Sequence, residues 1–142
     1  MSSCGWFPLK HQEIVAWVER HRDTLPTTLA ELAQYPMPFR TVIVNSVAPD
    51  VRVGLWTEHL RSSLTPESPL SAAQRAFVER SIAELPGLLA APAPNPVMRD
   101  WESRMAEVFT RAEAGRIFAT LGPPEPPEGL PLPPDAQPTP PA

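Results

Sequence analysis

Three histidines are the side chains of this sequence best suited to proton transfer near neutral pH. His11 and His21 are ten residues apart, a spacing that forms neither a one-turn metal pair nor an HExxH motif. His59 lies on or beside an apolar helical stripe that includes Trp56, where an imidazole can act as a general base. Such a histidine is more often a core-edge residue that donates one hydrogen bond. His59 is therefore the candidate catalytic residue, although a structural role is favoured.

Other reactive residues give weaker signals. Glu58 would point about 100° away from His59 on a helix, so it is not a ready-made orienting carboxylate. The single cysteine, Cys4, excludes an intramolecular disulfide and a CxxC site, and it lies in a predicted N-terminal arm. The chain has no GxGxxG, GxxxxGK[ST] or GxSxG pattern, which leaves dinucleotide, P-loop and α/β-hydrolase functions without support. We expect no cofactor and no metal site.

Aromatic residues are the second class of candidates, since tryptophan and tyrosine dominate binding hot spots. Short helices also need large side chains to fill a small core. The tryptophans favoured as core residues are Trp17, Trp56 and Trp101. Trp56 and Tyr35 are in addition candidate contacts for a ligand or partner. Trp6 and Phe7 form an apolar pair outside any predicted helix, so they either fold back or contact a partner, including a second copy of the chain.

Prolines divide the chain into the elements that must position these residues. Of the 21 prolines, ten fall within residues 122–142, and most of the others separate stretches with helical spacing of apolar residues. The predicted helices are about 10–22, 28–34, 39–47, 49–63, 71–85 and 96–121, the last with a restart at Thr110. The β-branched stretch 39–47 favours a strand by propensity. It is predicted as helix because no second strand-like run exists to pair with it.

Side-chain caps mark several helix starts in the sequence. Thr28, Ser71 and Thr110 each begin an S/T-x-x-E/Q capping box. Asn95 precedes a proline at the first helical position, which is a favourable helix start. Pro86 and Gly87 are predicted to close one helix, and residues 87–96 are predicted to be a linker, although two leucines in it can dock on the core.

The predicted architecture is all-α, a single compact domain of six or seven short helices over residues 10–121. An N-terminal arm, 1–9, precedes it, and a disordered proline-rich tail, 122–142, follows it. Residues 1–121 hold 13 acidic and 12 basic side chains, so nucleic acid is not an expected partner. The N-terminal residues lack a basic and an apolar signal segment, and no run is long enough to span a bilayer. We expect a cytoplasmic protein that does not enter the membrane.

Five sequence elements together resemble bacterial proteins of the bacteriocin fulvocin C-related family. They are the LPxTxxEL start, the YPxxFR step, the xPxVRxxLWxEHL helix, the LSAAQRAFVERSI helix and the FTRAEAGRIFATLG ending. The resemblance covers roughly residues 24–122. It implies a link to bacteriocin or peptide natural-product biology, and it carries no catalytic residue onto this chain.

Two functions from different classes follow from these observations. The first is a non-enzymatic binding or accessory protein for a protein or peptide partner or a small apolar ligand. The second is a small cofactor-independent enzyme with an aromatic-lined pocket near Trp56 and His59, assisted by Glu58 or Arg52. A pocket that contains His59 and a second titratable side chain would favour the enzyme. Packing of His59 between helices with a backbone partner would favour a structural role for this histidine.

Overall fold

A computed structural model describes residues 9–90, 95–119, 121–123, 125–133 and 136. Within these ranges the secondary structure is helical and contains no strand, which confirms the all-α prediction. The α-helices are α1 (His11–Arg20), α2 (Leu29–Leu32), α3 (Met37–Ser46), α4 (Pro49–Ser62), α5 (Ala72–Ala90), α6 (Pro96–Val108) and α7 (Arg111–Phe118). A 3₁₀ helix, Arg22–Thr24, follows α1. None of the described helices combines the length and apolar character needed to cross a bilayer.

The chain folds into two compact units. Unit 1 comprises the chain up to Val47 together with the chain from Gly122 onward, and unit 2 comprises Ala48–Leu121. Unit 1 therefore contains α1 to α3, and unit 2 contains α4 to α7. The sequence does not predict this division. A proline lies at the boundary between α3 and α4, but prolines also lie at several other helix boundaries.

The predicted caps form at the predicted residues. In the two complete boxes, the N–H of Gln74 donates to Ser71 Oγ at 3.1 Å and the N–H of Glu113 donates to Thr110 Oγ1 at 3.2 Å. The reciprocal bonds, from the N–H of each cap residue to the Gln74 or Glu113 side chain, are 3.0 and 2.9 Å long. Each cap satisfies a backbone donor that has no partner within its helix.

The remaining two caps are one-sided. The N–H of Glu31 donates to Thr28 Oγ1 at 3.2 Å at the start of α2. Asn95 Oδ1 accepts from the N–H of Val97 at 3.0 Å at the start of α6. Both helices therefore begin where the sequence places a polar cap.

The ambiguous stretch 39–47 is helical, as predicted. It forms most of α3, which begins after Pro36 and packs against α1. Phe39, Val42 and Ile43 are buried at helical spacing. Burial on that face outweighs the strand propensity of the β-branched residues, which is a weak preference of at most about 1 kcal/mol per residue.

The prediction that residues 87–96 form a linker is wrong for its first part. Helix α5 continues through Pro86 to Ala90. Proline in a helix interior removes one backbone hydrogen bond, but Pro86 lies on the exposed side. Leu85 and Leu88 on either side of it are buried, with 4% and 5% of their surface exposed. Burying Leu88 contributes about 1.5–3 kcal/mol, which is comparable with the cost of about 3 kcal/mol for a proline in a helix interior.

The buried side chain of Arg40 connects separate segments of unit 1 by hydrogen bonds. Its side chain is almost fully buried, at 2% exposure. Nε donates to the Tyr35 carbonyl oxygen at 2.9 Å, Nη2 to that of Ala33 at 2.9 Å, and Nη1 to that of Pro123 at 2.7 Å. The last bond attaches the beginning of the proline-rich segment to unit 1. The described tail residues 122–123 and 125–133 contain no helix; the predicted disorder of the tail stays a prediction.

Gly122 is placed so that the Arg40 bond to Pro123 can form. Its φ of +82° lies in the left-handed region, where a side chain is strained, and a Cβ there would lie 3.3 Å from Arg40 Nη1. We expect Gly122→Ala to lower the free energy of unfolding by about 1–2 kcal/mol. Urea denaturation followed by circular dichroism measures this change.

Gly54→Ala is the matched control, because Gly54 lies in the interior of α4 and a Cβ there meets nothing within 4 Å. We expect this substitution to raise the free energy of unfolding by about 0.5–1 kcal/mol through helix propensity. Changes of the same sign in the two variants would contradict the conformational role of Gly122.

Candidate functional site

A cavity of about 580 Å³ lies within unit 2 among α4 to α7. We call it the unit 2 cavity. Its volume lies in the range of ligand pockets for small molecules. Apolar side chains make up most of its lining: Trp56, Leu60, Leu85, Leu88, Leu89, Met98, Trp101, Met105, Ala106, Phe109, Ala114, Phe118 and Ala119, with Gly115, Ser81, Thr110 and Arg111 completing it.

Three of the lining rings belong to one aromatic cluster. The ring centroids of Trp101 and Phe118 are 5.0 Å apart and the rings are perpendicular, and those of Phe109 and Phe118 are 6.0 Å apart. Phe77 does not line the cavity, but its ring lies 5.6–6.0 Å from all three. Edge-to-face pairs of this kind contribute about 0.5–1.5 kcal/mol each beyond the area they bury. Phe77 therefore packs against all three lining rings and stabilises the wall that they form.

A buried hydrogen-bond chain holds the Trp101 ring in this wall. Trp101 Nε1 donates to Ser81 Oγ at 2.8 Å, and Ser81 Oγ donates to the Phe77 carbonyl oxygen at 2.8 Å. Ser81 is fully buried, at 0% exposure. Because the indole N–H has a partner inside the protein, the ring presents an apolar surface to the cavity.

The exposed lining residues lie at the end of α6 and along α7. They are Ala106, Thr110, Arg111, Gly115 and Ala119. Most of the lining contributed by α4 and α5 is buried or half-buried. The cavity therefore opens to solvent beside α7, and small residues at this mouth leave it wide.

The polar groups of the lining differ in what they already bind. Thr110 Oγ1 and Ser81 Oγ both take part in hydrogen bonds within the protein. The exposed Arg111 side chain has no hydrogen bond or ion pair to any described residue. Hydrogen bonds from Thr110 to Glu113 lower the pKa of that carboxyl group, which keeps it a charged part of the α7 cap.

His59 does not line the unit 2 cavity. It is buried, at 8% exposure, and its Nε2 lies 2.7 Å from the Ile117 carbonyl oxygen, to which it donates. Burial lowers the pKa of the imidazole, and the hydrogen bond to Ile117 opposes this shift without cancelling it. His59 is thus neutral at pH 7 and connects α4 to α7. This is the backbone partner that favours a structural role.

The other predicted site residues are separated. Trp56 is half-buried and lines the cavity, and its ring meets the His59 ring edge-on at a centroid distance of 5.8 Å. Tyr35 belongs to unit 1, where its ring lies 5.7 Å from that of Trp17. Trp6 and Phe7 lie outside the described residues. Glu58 and Arg52, the proposed assistants of His59, do not line the cavity.

Sequence reasoning missed several of the residues that form the cavity. Leu88 and Leu89 fell in the predicted linker, and the extension of helical leucine spacing past Pro86 was the signal that could have included them. The small residues Ala106 and Gly115 carry no signal in a single sequence. Among the described residues, no group of three or more His, Cys, Asp and Glu side chains is arranged to hold a metal ion.

No family model, curated protein or solved structure matches this chain. Membership of the bacteriocin fulvocin C-related family therefore stays a prediction. The cavity and the hydrogen-bond partners of its neighbours are the observations from which a function can be proposed.

The lowered pKa of His59 makes stability depend on pH. The unfolded chain binds a proton at this residue near pH 6.5, whereas the folded protein binds it only at lower pH. The contribution of neutral His59 is therefore present above pH 6.5 and is lost as the pH falls through the folded-state pKa. We expect urea titrations to show that the free energy of unfolding decreases as the pH is lowered from 6.5 through the folded-state pKa of His59.

His59→Gln supplies the comparison, because its amide can still donate to the Ile117 carbonyl oxygen but does not titrate. Subtracting its pH profile from that of the wild type isolates the contribution of His59 to the pH dependence of stability. Two parallel profiles would contradict a buried neutral histidine.

Ser81→Ala tests the hydrogen-bond chain behind the cavity wall. The substitution leaves the buried Trp101 indole N–H without its acceptor, so we expect a loss of about 1–3 kcal/mol in the free energy of unfolding. Ser103→Ala is the control, since its exposed hydroxyl also donates to a carbonyl four residues earlier. We expect that change to stay within about 0.5 kcal/mol of wild type. Equal losses in the two variants would refute a special role for Ser81.

Proposed function

We propose that this protein is a non-enzymatic binding protein whose apolar ligand occupies the unit 2 cavity. The observation that carries this proposal is the lining itself, where apolar side chains from four helices surround a volume of about 580 Å³. An apolar ligand placed there removes its own surface and that of the lining from water, which contributes about 25 cal/mol for each Å². The flexible side chains of Met98 and Met105 can adjust to ligands of different shape.

The hydrogen bonds around the cavity support binding rather than proton transfer. The His59 imidazole donates to a backbone carbonyl and lies outside the lining. The Ser81 hydroxyl accepts from the Trp101 indole, and the Thr110 hydroxyl accepts from the N–H of Glu113 in the α7 cap. A small enzyme acting through Trp56 and His59 therefore lacks a supporting observation, whereas a binding protein requires only the cavity.

The biological setting of the proposal comes from the sequence. The resemblance to the bacteriocin fulvocin C-related family suggests that the protein serves bacteriocin or peptide natural-product biology. Action in the cytoplasm, as an accessory protein to a protein or peptide partner, belongs to the same proposal. Pairing of two copies through Trp6 and Phe7 stays a prediction, which light scattering of the chain without residues 1–8 would check.

The proposal predicts saturable binding of an uncharged apolar fluorophore, N-phenyl-1-naphthylamine. Its emission should rise on addition of the protein and reach a plateau. Ala106→Trp should weaken binding by about tenfold or more, because an indole at the mouth competes for the same volume. Fluorescence titration measures this, with excitation at a wavelength that tryptophan does not absorb.

Ala83→Trp is the matched control. Ala83 is an exposed alanine of α5 that does not line the cavity, so its variant should bind the fluorophore as the wild type does. Absence of saturable binding by the wild type would overturn the proposed function. So would equal affinity of the Ala106→Trp and Ala83→Trp variants, since the fluorophore would then bind elsewhere.

A further inference from the structure

The polar side chains of the unit 2 cavity are unequally distributed between its interior and its mouth. Inside, the single polar side chain is that of Ser81, whose hydroxyl accepts from Trp101 and donates to Phe77. At the mouth lie the exposed Thr110 and Arg111. A ligand that fills this space meets an apolar interior at one end and a polar rim at the other.

Arg111 supplies the charge at this rim. It is the one charged residue of the lining, and no described residue forms a hydrogen bond or ion pair with its guanidinium. A guanidinium presents several N–H donors in a planar fork that matches a carboxylate or phosphate. In contrast, Arg104 on α6 is already paired, with Glu84 at 3.0 Å and with Asp100 at 2.9 Å.

The α7 N-terminus lies at the same place and already carries a carboxylate, that of Glu113 in the cap. Arg111 is the first residue of α7, so the positive end of the helix dipole lies at the mouth. The Thr110 cap satisfies the N–H of Glu113, and the N–H of Arg111 has no acceptor among the described residues. Because Glu113 offsets the positive end of the dipole, the assignment of an anion to the mouth rests on the Arg111 guanidinium.

From this distribution we infer that the ligand of the unit 2 cavity is a single-chain anionic amphiphile. Its hydrocarbon chain lies in the interior against Trp101, and its anionic head group lies at the mouth against Arg111. The inference rests on the proposed function and adds to it the class of ligand. The other exposed lining residues include Ala106, Gly115 and Ala119, all small residues that leave the mouth open.

Competition with bound N-phenyl-1-naphthylamine tests the head group. Dodecanoate and dodecanol share a chain and differ in charge, and both are used at pH 8 below the concentrations at which they aggregate. Arg111→Gln should weaken dodecanoate about fivefold and leave dodecanol within about twofold of its wild-type value. The dodecanoate affinity of the wild type should also fall as sodium chloride is raised, because salt screens an exposed ion pair.

Two variants control for other effects of the substitution. Arg116→Gln removes an exposed arginine of α7 that does not line the cavity, so it should leave both affinities unchanged. Arg111→Lys keeps the positive charge and should retain most of the dodecanoate affinity. Circular dichroism of each variant confirms that α7 is intact.

The possible outcomes separate this inference from the proposed function. If Arg111→Gln weakens both amphiphiles equally, or neither, or if Arg116→Gln has the same effect, the assignment of the head group to Arg111 is overturned while the apolar cavity stands. If the fluorophore binds saturably and neither amphiphile displaces it, the ligand class is wrong. If the fluorophore itself does not bind, the proposed function fails.

Discussion

The hydrogen bond from the Trp101 indole to the Ser81 hydroxyl is the interaction on which the cavity depends. It connects α6 to α5 inside an otherwise apolar cluster, and it fixes the orientation of one of the two indole rings in the wall. A buried indole N–H without a partner would turn toward water. Because Ser81 Oγ in turn donates to the Phe77 carbonyl oxygen, the Trp101 indole and the Ser81 hydroxyl need no hydrogen bond from a ligand.

The length of α5 is a second requirement for the cavity. Leu88 and Leu89 lie after Pro86, so a helix that stopped at the proline would remove two apolar residues from the lining. The cost of an interior proline, about 3 kcal/mol, is offset by the burial of Leu85 and Leu88, each worth about 1.5–3 kcal/mol. His59 also holds two helices of unit 2 together, because its imidazole donates to the Ile117 carbonyl oxygen and so joins α4 to the end of α7.

The sequence predicts those features that depend on residues a few positions apart. The caps at Ser71 and Thr110 and the helix over 39–47 fall in this class, because a side chain and its backbone partner lie within one turn. The continuation of α5 past Pro86 depends on what Leu88 meets from other helices, which local spacing does not contain. The same holds for the partner of His59, 58 residues away, and for the small residues at the mouth.

The bond from Arg40 to Pro123 spans 83 residues, and all of unit 2 lies between its two ends. A ribosome therefore releases α4 to α7 in full before it releases the Pro123 carbonyl that accepts from Arg40. Until residue 123 emerges, this bond cannot form, although the Tyr35 and Ala33 carbonyls that also accept from the guanidinium have already been synthesised. Synthesis from the N-terminus thus gives unit 2 the opportunity to fold first. Unit 1, although it contains the first helices made, is the last to be completed.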